Sequence, residues 1–134
     1  MRITADTNVL VRAITGDDVR QSELAQQELL NADSVALPLT ALCELVWVLS
    51  RGYKASFPEI GEAIRRLINA DNVAVNRAAA EAGLTLLDAG GDFADGVIAF
   101  EGASLGAETF VSFDKNAVRL IVSTGARARL LAKQ

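Results

Sequence analysis

The stretch RITADTNVLVRAI, residues 2–14, passes from a short apolar segment through an acidic residue into a helical pattern. Residues 2–5 are predicted to form a buried strand, and Asp6 follows that strand directly. From Thr7 onwards, apolar residues recur at helical spacing until Gly16 interrupts them. A strand that leads straight into a helix is the repeating unit of α/β proteins. The stretch therefore predicts that class of fold.

The same alternation continues along the chain. The capping-box spacing of Ser56 and Glu59 marks the start of one helix, and Thr40 is predicted to cap another. No internal repeat or linker is visible, so we expect one domain, residues 1–134: an α/β sandwich built on a mainly parallel sheet. Further strands are predicted at residues 34–37, 72–75, 108–113 and 128–131, and further helices at 17–31, 40–50, 57–68, 77–89, 93–105 and 116–122.

Composition limits the chemistry that this chain can perform. A hydrophobic fraction of 51% in 134 residues predicts one folded domain with a real core. No apolar run is long enough to cross a bilayer and no secretory signal pattern is present, so we expect a cytoplasmic protein without membrane contact. Cys43 is the only cysteine and is expected to pack as a small hydrophobic residue.

The chain contains no histidine. This excludes a Ser-His-Asp triad, a histidine proton shuttle and an ordinary zinc site. Catalysis would have to use carboxylates, hydroxyls, amines or a hard metal with oxygen ligands. The net charge of −4 argues mildly against nonspecific nucleic-acid binding. The end of the chain is nevertheless basic, which fits either a rim beside an acidic pocket or a solvated face: Lys115, Arg119, Arg127, Arg129 and Lys133.

Four carboxylates stand in unusual contexts: Asp6, Glu44, Asp95 and Asp114. Asp6 and Asp114 each follow a strand, where ligands bind in open α/β sheets, although each alone is equally well explained as a helix cap. Glu44 and Asp95 interrupt the apolar faces of helices, where an unpaired carboxylate is costly. For Glu44, the alternative is a side chain that reaches water near the helix start. We interpret the four as a shared divalent-metal site.

Asp92 precedes Asp95 by one helical turn, and the two carboxylates are expected to repel each other unless a cation lies nearby. The preceding glycines, Gly90 and Gly91, allow a sharp turn into the helix. Asp92 therefore fits two roles equally well: the cap of that helix, or a hydrogen-bonding partner of the metal ligands.

Four segments together resemble the PIN-domain family, and within it most closely the VapC-type toxins, the ribonuclease components of toxin–antitoxin pairs. The resemblance covers nearly the whole chain, with the segments in the family's order. One departure is Gly96, where many relatives carry alanine; by helix propensity it should loosen its helix by up to about 1 kcal/mol. The segments are Asp6-Thr7-Asn8, ALCELVWVL at 41–49, DFADGVIA at 92–99 and Ser112-Phe113-Asp114.

The resemblance implies a PIN-like α/β/α sandwich with a central, mainly parallel sheet flanked by helices. It also implies an endoribonuclease that depends on Mg²⁺ or Mn²⁺ and acts on structured RNA. It assigns the catalytic, metal-binding role to Asp6, Glu44, Asp95 and Asp114. Hydrogen bonds to these ligands, to water or to phosphate are expected from Asn8, Asp92 and Ser112, although Asn8 also fits a plain helix start. Contacts with RNA phosphates are expected from Arg12, Lys115 and Arg119.

The family further implies a homodimer and a small cognate antitoxin whose C-terminal segment fills the active-site groove. An apolar docking surface for that partner is predicted at Trp47, Val48, Tyr53 and Phe57; the alternative places Trp47 and Val48 in the core. Two other classes of function compete with the enzyme. One is a noncatalytic binding module that keeps the fold. The other is a phosphoacceptor signalling domain, which the single acid after the first strand and Pro38 after the second disfavour.

Overall fold

The computed structural model describes residues 1–132, which divide into two compact units, Met1–Arg77 and the chain from Ala78 onwards. Lys133, part of the predicted basic end, lies outside the described residues. The first unit contains β1 (Arg2–Thr4), α1 (Thr7–Thr15), α2 (Val19–Asn31), β2 (Ser34–Ala36), α3 (Leu39–Arg51), α4 (Phe57–Ile68) and β3 (Val73–Ala74). The helix α5 (Arg77–Asp88) begins at the last residue of the first unit and otherwise belongs to the second. The second unit also contains α6 (Phe93–Ser104), β4 (Phe110–Ser112), α7 (Lys115–Ser123) and β5 (Ala128–Leu130).

The sheet of the first unit is parallel, in the order β1-β2-β3. Ile3 pairs with Val35, and Val35 pairs in turn with Val73. Because all three strands run in the same direction, their carboxyl ends lie at one edge of the sheet. β1 ends at Thr4 on this edge, and Ala5 and Asp6 follow it. Apolar side chains of the helices fill the core of this unit, among them Leu10, Leu42, Leu45, Ile60 and Ile64.

Local sequence signals set most helix boundaries in the first unit. Asp6 caps α1, and Gly16 ends it at φ 66°, a left-handed conformation that glycine adopts without strain. The predicted capping box is confirmed, since Ser56 and Glu59 exchange both hydrogen bonds. The prediction that Thr40 caps α3 is wrong. Pro38 occupies the cap position and α3 begins at Leu39, without any side-chain cap.

The second unit has its own parallel pair, in which Val111 of β4 lies opposite Arg129 of β5. Leu86, Leu120 and Ile121 form a buried cluster against which Phe110 and Ala128 pack. The predicted α/β class with parallel strands is thus confirmed. Over residues 1–132 the strands pair as two sheets, one in each unit, and the single domain stays a prediction. None of the helices in this range is long and apolar enough to cross a membrane.

Gly96 is required by packing within the second unit. A Cβ at Gly96 would lie 2.4 Å from the carbonyl oxygen of Ala82 and 2.9 Å from the Cα of Gly83, both in the backbone of α5. Gly83 is constrained in the same way, since its Cβ would meet the ring of Phe93 at 2.7 Å. The expectation that Gly96 merely loosens its helix is therefore wrong, because the close approach of α5 and α6 depends on it.

Gly96→Ala should destabilise the protein by about 1–3 kcal/mol, because the added methyl group must push two backbones apart. Helix propensity alone predicts the opposite sign. Gly102 on the same helix is the matched control: a Cβ there meets only Ala107, at 3.9 Å, so Gly102→Ala should stabilise by about 0.5–1 kcal/mol. Thermal unfolding followed by circular dichroism measures both. Equal effects of the two substitutions would contradict the packing argument.

Candidate active site

A cleft of about 620 Å³ opens in the first unit beside the ends of β1 and β2. Two of the four predicted acids, Asp6 and Glu44, line it together. Asp6 reaches the cleft from the end of β1, and Glu44 reaches it from α3, which follows β2. Parallel strands direct the segments that follow them to the same edge of a sheet. The other polar residues on its walls are Thr4, Thr7, Glu28 and Thr40.

Asp6 is exposed and acts as the N-cap of α1. Its Oδ1 accepts a hydrogen bond from the backbone N–H of Val9 at 3.2 Å. The cap interpretation is therefore correct, but it occupies only one carboxylate oxygen. The other oxygen has no hydrogen-bond partner among residues 1–132. The helix start holds the side chain in place and stabilises its negative charge.

Glu44 is also exposed, so the expectation of a costly buried carboxylate is wrong for this residue. The alternative, a side chain that reaches water, is correct. Its Oε2 accepts a hydrogen bond from the Thr7 hydroxyl at 3.2 Å. Trp47, one turn further along α3, is 64% exposed, which excludes the interpretation that it belongs to the core. Val48 is half-buried.

The second unit presents the other two predicted acids at helix starts. Asp114 caps α7 through one oxygen, which accepts from the N–H groups of Asn116 at 2.8 Å and Ala117 at 3.1 Å. Asp95 lies in the first turn of α6, and Asp92 caps that helix by accepting from the N–H of Ala94 at 2.9 Å. The cap role left open for Asp92 is thus confirmed.

Asp95 is the one member of the four that is half-buried. Burial raises the pKa of its carboxyl group, and the negative charges of Asp92 and then Asp114 raise that pKa further. Asp92, Asp95 and Asp114 therefore lie close enough for their charges to repel. Within residues 1–132, none of the four predicted acids forms an ion pair with lysine or arginine.

Each unit thus presents two of the four acids. Neither unit alone, over the described residues, contains three or more acidic or cysteine side chains arranged to hold a metal ion. A metal site built from all four acids stays a prediction. The types of ligand fit a hard divalent cation, because all four are carboxylates. Three of the four side chains are exposed. Asp6 and Asp114 each keep one oxygen that the helix cap does not use.

Ser112 and Asn8, which are predicted to form hydrogen bonds with the metal ligands, differ in their surroundings. Ser112 accepts a hydrogen bond at its hydroxyl oxygen from the backbone N–H of Asp114 at 3.0 Å, so it positions the segment that carries this acid. Asn8 is exposed and lines a separate groove of about 270 Å³ beside α1 and α2, together with Val9, Arg12 and Leu24.

The predicted RNA-contacting cations differ in their availability. Arg12 forms an ion pair with Asp17, at 3.1 Å between Nη1 and Oδ1. The pKa of Asp17 lies below its ordinary value. Hydrogen bonds from the hydroxyl of Tyr53 and then from that of Thr15 lower it most, and Arg12 lowers it further. Lys115 is exposed at the start of α7, and Arg119 is exposed while it donates to Asn116.

Sequence reasoning missed the remaining polar residues of the cleft. Thr7 is the clearest omission, although it lies inside the segment that carried the family resemblance. The signal that could have identified it is its position at the first residue of a helix, beside an acid that caps the same helix. Glu28 and Thr40 also line the cleft, because α2 and α3 pack against α1, but neither forms a hydrogen bond with Asp6 or Glu44.

The sequence matches the model of the PIN domain over residues 3–121. This match covers most of the chain, which belongs to the PIN-domain family. Members of this family have a nuclease-type fold, and their activity often depends on a metal ion. No curated protein matches the sequence closely enough to serve as a relative.

Asp95→Asn should raise the stability of the metal-free protein at pH 7. The pKa of Asp95 lies above its ordinary value of 3.8, so the folded state binds the proton more tightly than the unfolded state. The free energy of unfolding therefore falls as the pH rises from about 3.8 through the raised pKa. The gain at pH 7 should be about 0.5 kcal/mol, because water still screens a half-buried group.

Denaturant unfolding of the metal-free protein between pH 3.5 and 7 measures this effect. Asp95→Asn should lose the fall in stability that Asp95 contributes across that window, so its free energy of unfolding relative to wild type should increase with pH. Glu101→Gln, which removes an exposed acid from the same helix, should preserve it. An unchanged pH dependence in Asp95→Asn would show that the Asp95 carboxylate is not destabilised by its surroundings.

Proposed function

We propose that this PIN-domain protein is a metal-dependent endoribonuclease that cleaves structured RNA. The supporting observation is the set of uncompensated carboxylates at helix starts and at the end of a strand, with the raised pKa of Asp95 as its clearest sign. The charge of the half-buried Asp95 is unfavourable for folding alone, because burial and the charges of Asp92 and Asp114 disfavour it. It becomes favourable when a cation is bound, and the charge of that cation also serves chemistry on phosphate.

In this proposal Asp6, Glu44, Asp95 and Asp114 hold Mg²⁺ or Mn²⁺. When bound, the cation lowers the pKa of a coordinated water and stabilises the negative charge that develops on the phosphate. The chain's own contribution is to fix the ligands before the metal arrives. Backbone N–H groups of α1 and α7 hold Asp6 and Asp114, and the Thr7 hydroxyl holds Glu44.

Contact with the RNA backbone is assigned to the exposed cations Lys115 and Arg119, beside Asp114 on α7. Arg12 can contribute only if it exchanges its carboxylate partner Asp17 for a phosphate. The carboxylates repel phosphate when no metal is present. Binding of RNA to the site should therefore require the divalent cation.

The finer assignment, a VapC-type toxin that acts as a homodimer in the cytoplasm and is inhibited by a small antitoxin, is also a proposal. Three exposed aromatic side chains support partner docking: Trp47 at 64%, Tyr53 at 39% and Phe57 at 38% exposure. A basic side chain of the antitoxin would neutralise the acids in place of the metal. If this is correct, expression of the chain should arrest bacterial growth, whereas expression of Asp6→Asn should not.

A noncatalytic binding module remains the second candidate. One observation favours it: over residues 1–132 neither unit contains a complete group of three potential ligands. Calorimetric titration with Mn²⁺ separates the two functions, because a binding module that has lost its catalytic site would show no divalent-cation binding.

The purified protein should cleave a structured RNA in Mg²⁺ or Mn²⁺ and lose this activity in EDTA. Asp6→Asn and Asp95→Asn should reduce the cleavage rate by about 100-fold or more, because each removes a metal ligand. Asparagine still caps a helix well, so Asp6→Asn should keep α1 intact. Gel analysis of labelled RNA fragments measures the rate.

Asp18→Asn is the matched control, since Asp18 caps α2 in the same way by accepting from Gln21 at 3.0 Å. It should retain full activity. Equal cleavage by wild type, Asp6→Asn and Asp95→Asn would overturn the proposed function.

A further inference from the structure

The hydroxyl of Thr7 donates a hydrogen bond to Oε2 of Glu44 at 3.2 Å, across 37 positions of sequence. Both residues belong to the first unit and line the same cleft as Asp6. Thr7 is half-buried and Glu44 is exposed. Among residues 1–132, this is the only hydrogen bond to the Glu44 carboxylate.

The position of Thr7 in α1 leaves its hydroxyl free to make this contact. A threonine inside a helix commonly donates to the carbonyl four residues earlier. Two threonines of this chain do so: Thr15 donates to Val11 at 2.9 Å, and Thr85 donates to Glu81 at 3.0 Å. Thr7 is the first residue of α1, and the residue four positions earlier, Ile3, belongs to β1. No helical carbonyl is available, so the hydroxyl points to a partner outside its own helix.

The capping of α1 does not require this hydroxyl. Asp6 already accepts the N–H of Val9, and Thr7 contributes to the helix start only through its backbone. Its side chain is β-branched, which limits χ1 to few rotamers, and in the observed one the hydroxyl donates to Glu44. The contact with Glu44 therefore has no evident role in the local structure of α1.

We propose that Thr7 is a positioning residue for Glu44, which rests on the proposed metal-dependent function. Glu44 has three rotatable side-chain bonds and is exposed, so it would otherwise sample many rotamers. The Thr7 hydroxyl selects the rotamers that direct the carboxylate into the cleft shared with Asp6. It occupies one lone pair of Oε2 and leaves Oε1 free. A carboxylate held in this way loses less entropy when it binds a cation.

The test is calorimetric titration of the RNA-free protein with Mn²⁺. Thr7→Val keeps the shape of the side chain and removes the donor, so it should weaken Mn²⁺ binding by about tenfold. Thr7→Ser retains a hydroxyl and should bind within about threefold of wild type. Thr40→Val is the matched control: Thr40 lines the same cleft but donates to none of the four acids. Its dissociation constant should remain within about twofold of wild type.

Cleavage of RNA supplies a second measurement. With Mn²⁺ near the wild-type dissociation constant, Thr7→Val should be several-fold slower than wild type. At saturating Mn²⁺ its rate should approach the wild-type rate, because the hydroxyl positions a ligand and does not contact the reacting phosphate. The thermal midpoint of Thr7→Val in EDTA should match that of wild type, which separates positioning from folding.

The outcomes distinguish this inference from the function on which it rests. If wild type binds Mn²⁺ and cleaves RNA while Thr7→Val binds Mn²⁺ equally well, the positioning role is overturned and the nuclease remains. The positioning role is also overturned if Thr7→Ser is as weak as Thr7→Val, or if Thr40→Val weakens binding to the same extent. If wild type neither binds Mn²⁺ nor cleaves RNA, the proposed function itself fails.

Discussion

The structure depends on aspartates that cap helices. The same aspartates lie beside other carboxylates, so negative charge accumulates at these helix starts. Asp6, Asp92 and Asp114 each accept backbone N–H groups at the start of a helix. The dipole of each helix stabilises the negative charge of its cap. One oxygen of Asp6 and of Asp114 serves the helix, and the second remains available. Folding and chemistry thus use the same side chains without competing for the same atom.

Asp95 is half-buried and, unlike the three capping aspartates, accepts no backbone N–H at a helix cap. It lies within a helix turn rather than at a cap, and burial together with Asp92 and Asp114 raises its pKa. Its charge is therefore costly in the metal-free protein. A carboxyl group whose pKa is raised by burial together with neighbouring charges is typical of functional positions. The same logic explains why Glu44 needs a donor such as Thr7: being exposed, it has little besides that hydroxyl to fix its direction.

Several features followed from local sequence because their causes are local. The cap at Asp6, the capping box of Ser56 and Glu59 and the helix end at Gly16 each depend on residues within one turn. Other expectations failed because their causes are distant in sequence. Helix propensity does not describe Gly96, because the backbone of α5 decides what fits there. Glu44 was expected to be buried because its neighbours in α3 are apolar, but the cleft opens on its side of the helix.

The sequence by itself determined the α/β class, most helix starts, the absence of histidine chemistry and the identity of the acids, because each is encoded in residue type and short-range spacing. Only the tertiary structure decided which of these acids share a surface, since packing brings Asp6 and Glu44 to one cleft and sets Asp92, Asp95 and Asp114 within reach of one another's charge. It alone revealed that Thr7 holds Glu44. A hydrogen bond between residues 37 positions apart leaves no periodic trace in the chain, because it depends on how two helices and two strands are placed in space.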